Sequence, residues 1–210
     1  MNKLRKVAKT GLLLNKNYLS LGRKAWTNPD NLPGFKECQE ACDSITWDDC
    51  IKAVGYNPAY IFDQPIATHV LYEMQNLRIM LIFFGGGCSM PIHDHEGMIV
   101  FSKCIKGSVG VNYWDLKHHD SFCDQVRNHD FGKIKREGAP VNYHGGYDIN
   151  EGHLDIVRPY QNNIHCFNPR TDSVIFDLIL NDYDSNRPYK EFIRKSDDLL
   201  ELDSVNRIAI

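Results

Sequence analysis

At 210 residues, 42% hydrophobic and 24% charged, the chain is long enough for one substantial core and has the composition of an ordinary globular protein. A formal net charge of −3 offers no electrostatic basis for binding nucleic acid or an anionic membrane, and no run approaches the roughly 20 apolar residues of a membrane span. The seven cysteines are odd in number and scattered, so they read as free thiols in a reducing compartment, expected to be the cytoplasm or also the nucleus.

Residues 1–55 read as a helical extension and residues 56–210 as one β-rich domain. Leu4, Val7 and Leu12 recur at roughly helical spacing, with Gly22 as a break. The first 26 residues hold seven Lys or Arg and no acid. Their Gly-Leu-Leu-Leu kernel is too short for the apolar region of a secretory signal, so a helix lying on the domain surface is expected, with a mitochondrial presequence as the alternative. Cys38-x-x-x-Cys42 has the spacing of half a zinc site, but no second pair follows, which leaves an ordinary pair on a helix or loop. Thr46-x-x-Asp49 fits a capping box that opens a helix carrying Cys50, Ile51 and Val54 on one face; Gly55 and Pro58 end it.

From about residue 60 the period shortens to that of strands. His69–Phe84 reads as two strands meeting at Gln75-Asn76, and Gly85-Gly86-Gly87 breaks the run. Ile99–Lys106 and Val109–Trp114, joined at Lys106-Gly107, are expected to form a second hairpin. Residues 116–153 are polar and rich in Gly, Asn, Asp and His, which predicts long loops in which His118, His119, His129, His144 and His153 are solvated. Leu154–Val157, Ile164–Phe167 and Val174–Leu180 read as further strands. Tyr189–Ile193 can finish a sheet, and Asp197–Leu202 can close the chain as a helix. Many short strands with turn signals argue an antiparallel barrel or jelly roll.

Met90–Met98 contains His93-Asp94-His95. Side chains at i and i+2 leave the same face of a strand, about 6–7 Å apart along it, so both imidazoles can serve one first-row metal. His165 is the remaining histidine set in a short apolar strand. It is either a third ligand, leaving the opposite side of the metal open, or a hydrogen-bonded core histidine. Asp177 lies in the middle of an apolar strand, where a charge is costly unless paired.

Gly87-x5-His93-x-His95 followed by Gly107 is similar to the first motif of the cupins. The glutamate usual beyond the second histidine is absent, since Ile99 and Val100 occupy that region and Glu96 would face away on a strand. Pro91-x-His93-x-His95-x-Gly97-Met98 resembles the Pro-Leu-His-(Asn/Asp)-His-Pro-Gly-Met signature of the plant cysteine oxidase and 2-aminoethanethiol dioxygenase family. Val100-Phe-Ser-Lys103, Asn163-Ile-His165-Cys-Phe167 and the segment from Asp177 to Tyr183 continue the resemblance, which covers roughly residues 45–190. Two positions depart from it. Glu96 replaces a proline and could add charge at the pocket mouth, and Asn181-Asp182 replaces the Pro-Pro before Tyr183.

The resemblance implies a mainly β, cupin double-stranded β-helix (a jelly-roll barrel) over residues 56–210, with Fe(II) held by His93, His95 and His165. It implies O2-dependent oxidation of a thiol to a sulfinic acid, Asp177 accepting a hydrogen bond from the substrate amine or from water, and Tyr183 donating one near the oxygen site. With no carboxylate ligand, the metal keeps its full charge and favours an incoming thiolate. Plant members act on N-terminal cysteines of regulatory proteins and mark them for an N-degron route in response to oxygen; relatives also take cysteamine, and free cysteine is a further candidate. Ser173 stands where plant members tend to have a cysteine, so no Cys–Tyr crosslink is expected. The chain is taken to be a monomer. The rival readings are a cupin oxygenase acting on carbon and a non-catalytic metal-binding cupin.

Overall fold

The computed structural model describes residues 2–55, 62, 64–74, 76–85, 87–128, 130–184 and 187–206. Pro58, Gln75, Gly86 and His129 lie outside the described residues. Helix α1 (Lys3–Leu21) opens with the Asn2 side chain accepting from Leu4 N at 3.0 Å, and buries Val7, Gly11, Leu14, Asn15 and Tyr18 along one stripe. Helix α2 (Phe35–Asp43) carries Cys38 and Cys42 as buried core residues. Helix α3 (Trp47–Val54) starts at the expected capping box, with Asp49 Oδ2 accepting from Thr46 N at 3.0 Å, and stops at Gly55 with φ 76°.

Strand β1 (Ile66–Met74) pairs with β2 (Leu77–Phe84) as predicted, with Asn76 in the left-handed region at the turn. Four strand pairs then nest inside one another. Strand β2 pairs with β9 (Ser173–Leu180), β3 (Met90–Asp94) with β8 (Ile164–Pro169), β4 (Ile99–Lys106) with β7 (Leu154–Val157), and β5 (Ser108–Leu116) with β6 (Ala139–Asn150). Successive pairs fall in alternate sheets, which is the winding of a double-stranded β-helix. One sheet runs β1-β2-β9-β4-β7. The other, β10 (Tyr189–Ser196), β11 (Leu199–Asn206), β6, β5, β8, β3, closes on itself through the β3–β10 pairing.

Strand faces divide the core into layers. On β9, Val174, Phe176, Leu178 and Leu180 face outward into a cluster shared with α1 and α2, while Ile175 and Ile179 face the interior. Because helices cover the outside and the second sheet covers the inside, β9 is buried along its whole length and reads as a continuous apolar run. Ile164 and Cys166 of β8 pack outward against Phe122, Val126 and Ile134, leaving His165 and Phe167 to face in. No helix among the described residues is long and apolar enough to cross a membrane.

The expected fold class holds, but three local expectations are corrected. Strands β4 and β5 are not a hairpin: β4 pairs with β7 and β9, and β5 with β6 and β8. Gly107, at φ 83°, turns the chain from one sheet to the other, and a Cβ there would lie 2.5 Å from Asp172 O. Residues 116–153 are not mainly loops; they hold α4 (His119–Arg127), α5 (Phe131–Glu137) and the long β6. Polar surface positions mask the few residues that anchor these helices, such as Phe122, Cys123, Val126 and Ile134. Asp197–Leu202 is not a helix but the turn and start of the β10–β11 hairpin, because Leu200 and Leu202 must face one side together.

Candidate metal centre

Strands β3 and β8 place His93 directly opposite His165, and β5 places Tyr113 on the other side of His165 in the same rank. His95 follows the end of β3, held where its backbone N–H donates to Asn163 O at 2.7 Å. The three rings lie 4.6–4.9 Å apart between centroids, and one nitrogen from each falls within 4.8 Å of the others. All three histidines are buried. Burial lowers the pKa of His93 to about 4, against the opposing hydrogen bond to Pro91, and drives those of His95 and His165 well below the ordinary value. Neutral imidazoles are the ligand form.

Hydrogen bonds set the ring faces. His93 Nδ1–H donates to Pro91 O at 2.9 Å, which leaves the lone pair on Nε2. The Tyr183 hydroxyl donates to Asp94 O at 2.5 Å, since a carbonyl can only accept. Its oxygen, 3.1 Å from His95 Nδ1, therefore accepts from that nitrogen, and His95 Nε2 keeps its lone pair. His95 Nε2 lies 3.3 Å from His165 Nε2. Convergent lone pairs on buried neutral rings fit a divalent ion held by three nitrogens. A Tyr183→Phe variant releases the His95 tautomer, and metal affinity is expected to fall about 10–100-fold in a metal titration.

The loop after His95 is built from distant parts of the chain. Gly97 has φ 64°, and a Cβ there would stand 2.7 Å from the Trp26 ring. Its carbonyl accepts from Tyr18 at 2.8 Å and from Asn181 Nδ2 at 2.6 Å. Asn181 N donates to Asn15 Oδ1 at 3.1 Å, and Asp182 both accepts from Tyr183 N at 2.8 Å and pairs with Arg78 at 3.1 Å. The Asn181-Asp182 departure thus anchors Tyr183 instead of loosening it. The first helix also serves the site, a role its amphipathic pattern did not signal.

Glu96 is not at a pocket mouth. It is buried behind the histidines, where Lys190 Nζ lies 3.3 Å from Glu96 Oε2 and 2.8 Å from Asp94 Oδ2. Burial disfavours the Lys190 ammonium, but the two carboxylates outweigh it and hold its pKa above the ordinary lysine value. Asp177 lies on the interior face of β9 with Ile175 and Ile179, on the sheet opposite the histidines. Its Oδ1 has no hydrogen-bond partner. Burial pushes its pKa up to about 7; the nearby Ser102 favours the charged form and the charge of Asp155 opposes it.

Other histidines stay apart from this centre. His144 is exposed on β6 and pairs with Asp115 at 2.7 Å; His118 and His153 are exposed. His119 corrects its expectation: it is buried between Trp26 and Tyr160, with ring centroids at 5.5 and 4.4 Å. Among the described residues, His93, His95 and His165 form the one cluster of metal-type side chains.

Residues 42–196 match the family model PCO_ADO. The chain belongs to this family, the cysteine oxidase and 2-aminoethanethiol dioxygenase group of cupin thiol dioxygenases. A relative from Dictyostelium discoideum, named a probable 2-aminoethanethiol dioxygenase, is 27% identical over 174 residues, which span 80% of this chain and 70% of the relative. Solved structures are similar at a coarser level. KdgF from Halomonas sp. is 13% identical with a TM-score of 0.39, covering 57% of this chain and 82% of its own. A cupin superfamily protein from Desulfitobacterium hafniense is 12% identical with a TM-score of 0.38, covering 56% of this chain and 78% of its own. The PCO_ADO membership makes the chain a thiol dioxygenase, an enzyme taking a thiol and O2, and its three buried histidines are a set that could hold a metal cofactor.

Proposed function

We propose that the metal is Fe(II) and that the enzyme oxidises the thiol of an N-terminal cysteine to the sulfinic acid. The observation that supports this most directly is the donor set: three buried neutral imidazoles with no carboxylate among them. When bound, the iron supplies a cation that ionises a coordinating thiol and a redox centre for O2. The chain's own residues do the rest. His93, His95 and His165 hold the ion on one side of the interior; Tyr183 keeps His95 aimed at it. Asp177, on the facing sheet, accepts a hydrogen bond from the substrate amine. For Tyr183 to donate towards an oxygen substrate, its hydroxyl would have to leave Asp94 O, so the geometry favours orientation of His95 as its task.

On this reading the enzyme senses oxygen, converting the N-terminal cysteine of target proteins into an N-degron signal. It acts as a monomer in a reducing compartment, the cytoplasm or nucleus, where its seven cysteines stay free. The name of the Dictyostelium relative favours a second reading, in which cysteamine is the substrate. Anaerobic metal analysis is expected to find one iron per chain. Mass spectrometry of a Cys-initiated peptide incubated with O2 beside cysteamine and cysteine is expected to show two added oxygen atoms on the peptide. Zinc in the site with no thiol-dependent O2 uptake would sink the proposal.

An Asp177→Asn variant tests the amine contact: kcat/KM is expected to fall about 100-fold while metal content holds. It also carries a pH signature. Asp177 binds its proton more tightly folded than unfolded, so its contribution to stability is lost as pH rises from about 4 to about 7. In the metal-free protein, Asp177→Asn is therefore expected to gain melting temperature relative to wild type across that window and to hold the gain above it. A constant difference from pH 4 to 8 would show that Asp177 has an ordinary pKa.

A further inference from the structure

The interior face opposite the histidines carries a rank of polar groups that the metal does not use. Ser102 on β4 is in register with Asp177 on β9 and, on its other side, with Asp155 on β7. All three face inward: Ser102 shares its strand face with Val100 and Cys104, and Asp155 shares its own with Val157. Adjacent strands lie about 4.8 Å apart, so the two carboxylates flank the serine at one level of the barrel. Asp155 accepts from the Tyr113 hydroxyl and, at 3.2 Å, from that of Tyr147. Tyr113 comes from the opposite sheet, in the same rank as His165 and His93, so this bond ties the acidic rank to the level of the metal ligands.

Two observations make this rank a site instead of a chance cluster of acids. Ser102 Oγ and Asp177 Oδ1, set opposite one another on β4 and β9, have no hydrogen-bond partner beyond each other, and both belong to side chains at least nine-tenths buried. Among the described residues, no Lys or Arg forms an ion pair with Asp155 or Asp177. Arg158, the cation that Asp155 feels, is committed to Asp30 at 2.7 Å and to Ile156 O at 3.1 Å. Two interior carboxylates beside a buried hydroxyl, with no internal cation, ask for one from outside.

We propose that Asp155 is a specificity-determining carboxylate which, with Ser102 and Asp177, forms an anionic cradle for the protonated amino group of the thiol substrate. This rests on the reading of the substrate as an aminothiol and adds a second acid, set nearer the surface than Asp177, to the single contact assigned above. Sulfur held at the histidine side and ammonium held at the acidic rank select a thiol with a cation a short carbon chain away.

Cysteamine and 2-mercaptoethanol test this directly, because they match in length and differ in ammonium against hydroxyl. Each is titrated anaerobically into the metal-loaded protein by calorimetry. Wild type is expected to bind cysteamine more tightly. Asp155→Asn, which keeps an acceptor for Tyr113, is expected to weaken cysteamine on the order of tenfold and leave 2-mercaptoethanol unchanged. Tyr113→Phe removes the cross-sheet hydrogen bond but keeps the charge, and is expected to keep the preference. Equal loss of both thiols in Asp155→Asn, or an unchanged preference, overturns the cradle. So does equal affinity in wild type, a result that needs no variant to fold. If wild type prefers cysteamine but consumes no O2 with any thiol, the cradle stands and the dioxygenase reading fails.

Discussion

Replacement of His165 by alanine is expected to remove bound metal and thiol-dependent O2 uptake together. The loss should exceed the about 10–100-fold that disturbing a hydrogen-bonded partner of a ligand costs, because on the proposed reading a ligand itself is gone. The remaining pair, His93 and His95, come from one short segment and bind from one edge only. The opposing nitrogen, 3.3 Å from His95 Nε2, is the one removed. Stability separates this from a packing defect. Metal that binds only the folded protein raises its melting temperature by mass action. Wild type should therefore gain on addition of metal, and His165→Ala should not, while its metal-free form loses roughly 2–4 kcal/mol through the cavity left at a buried site. A variant that keeps its metal and its O2 uptake would return His165 to the core histidines.

The centre was legible in the sequence where its signal is local. His93 and His95 stand two apart, a spacing that brings them to one side even though His95 lies just past the end of β3, and His165 and Asp177 stand out because each interrupts a short apolar strand. What stayed hidden depends on register between distant strands. Lys190 sits in an ordinary alternating strand, and its partners are Asp94 and Glu96, some 90 residues earlier. Asp155 gains meaning only from Tyr113, 42 residues away on the other sheet. The corner at Gly107 reads locally as a hairpin because both flanking segments are strands; which sheet each joins is decided by β8 and β9, far downstream. Helix α5 buries Ile134 alone and so shows no helical period, whereas α4 does carry one at His119, Phe122, Cys123 and Val126, obscured by the polar, glycine-rich stretch around it.

Replacement of Lys190 by methionine should destabilise the protein strongly. Methionine fills a similar volume, so the cost is electrostatic. Lys190 is fully buried, as are Asp94 and Glu96, and its removal leaves two carboxylates out of water with no cation. Breaking a buried ion pair in this way costs roughly 3–5 kcal/mol. For a chain of this size that corresponds to a fall of about 6–20 °C in melting temperature. Burial already holds the pKa values of Asp94 and Glu96 above the ordinary range, against the pull of Lys190. Without the lysine both protons are held more tightly still, so the deficit should grow as pH rises and shrink as the acids protonate. Neutralising the acids as well, in Lys190→Met with Asp94→Asn and Glu96→Gln, should recover most of the stability. Asp94 lies between His93 and His95, so the triple variant also separates two roles of the triad. Recovered stability with weakened metal binding would show that the charges aim the His93–His95 segment; recovery of both would show that they only fill the space behind it.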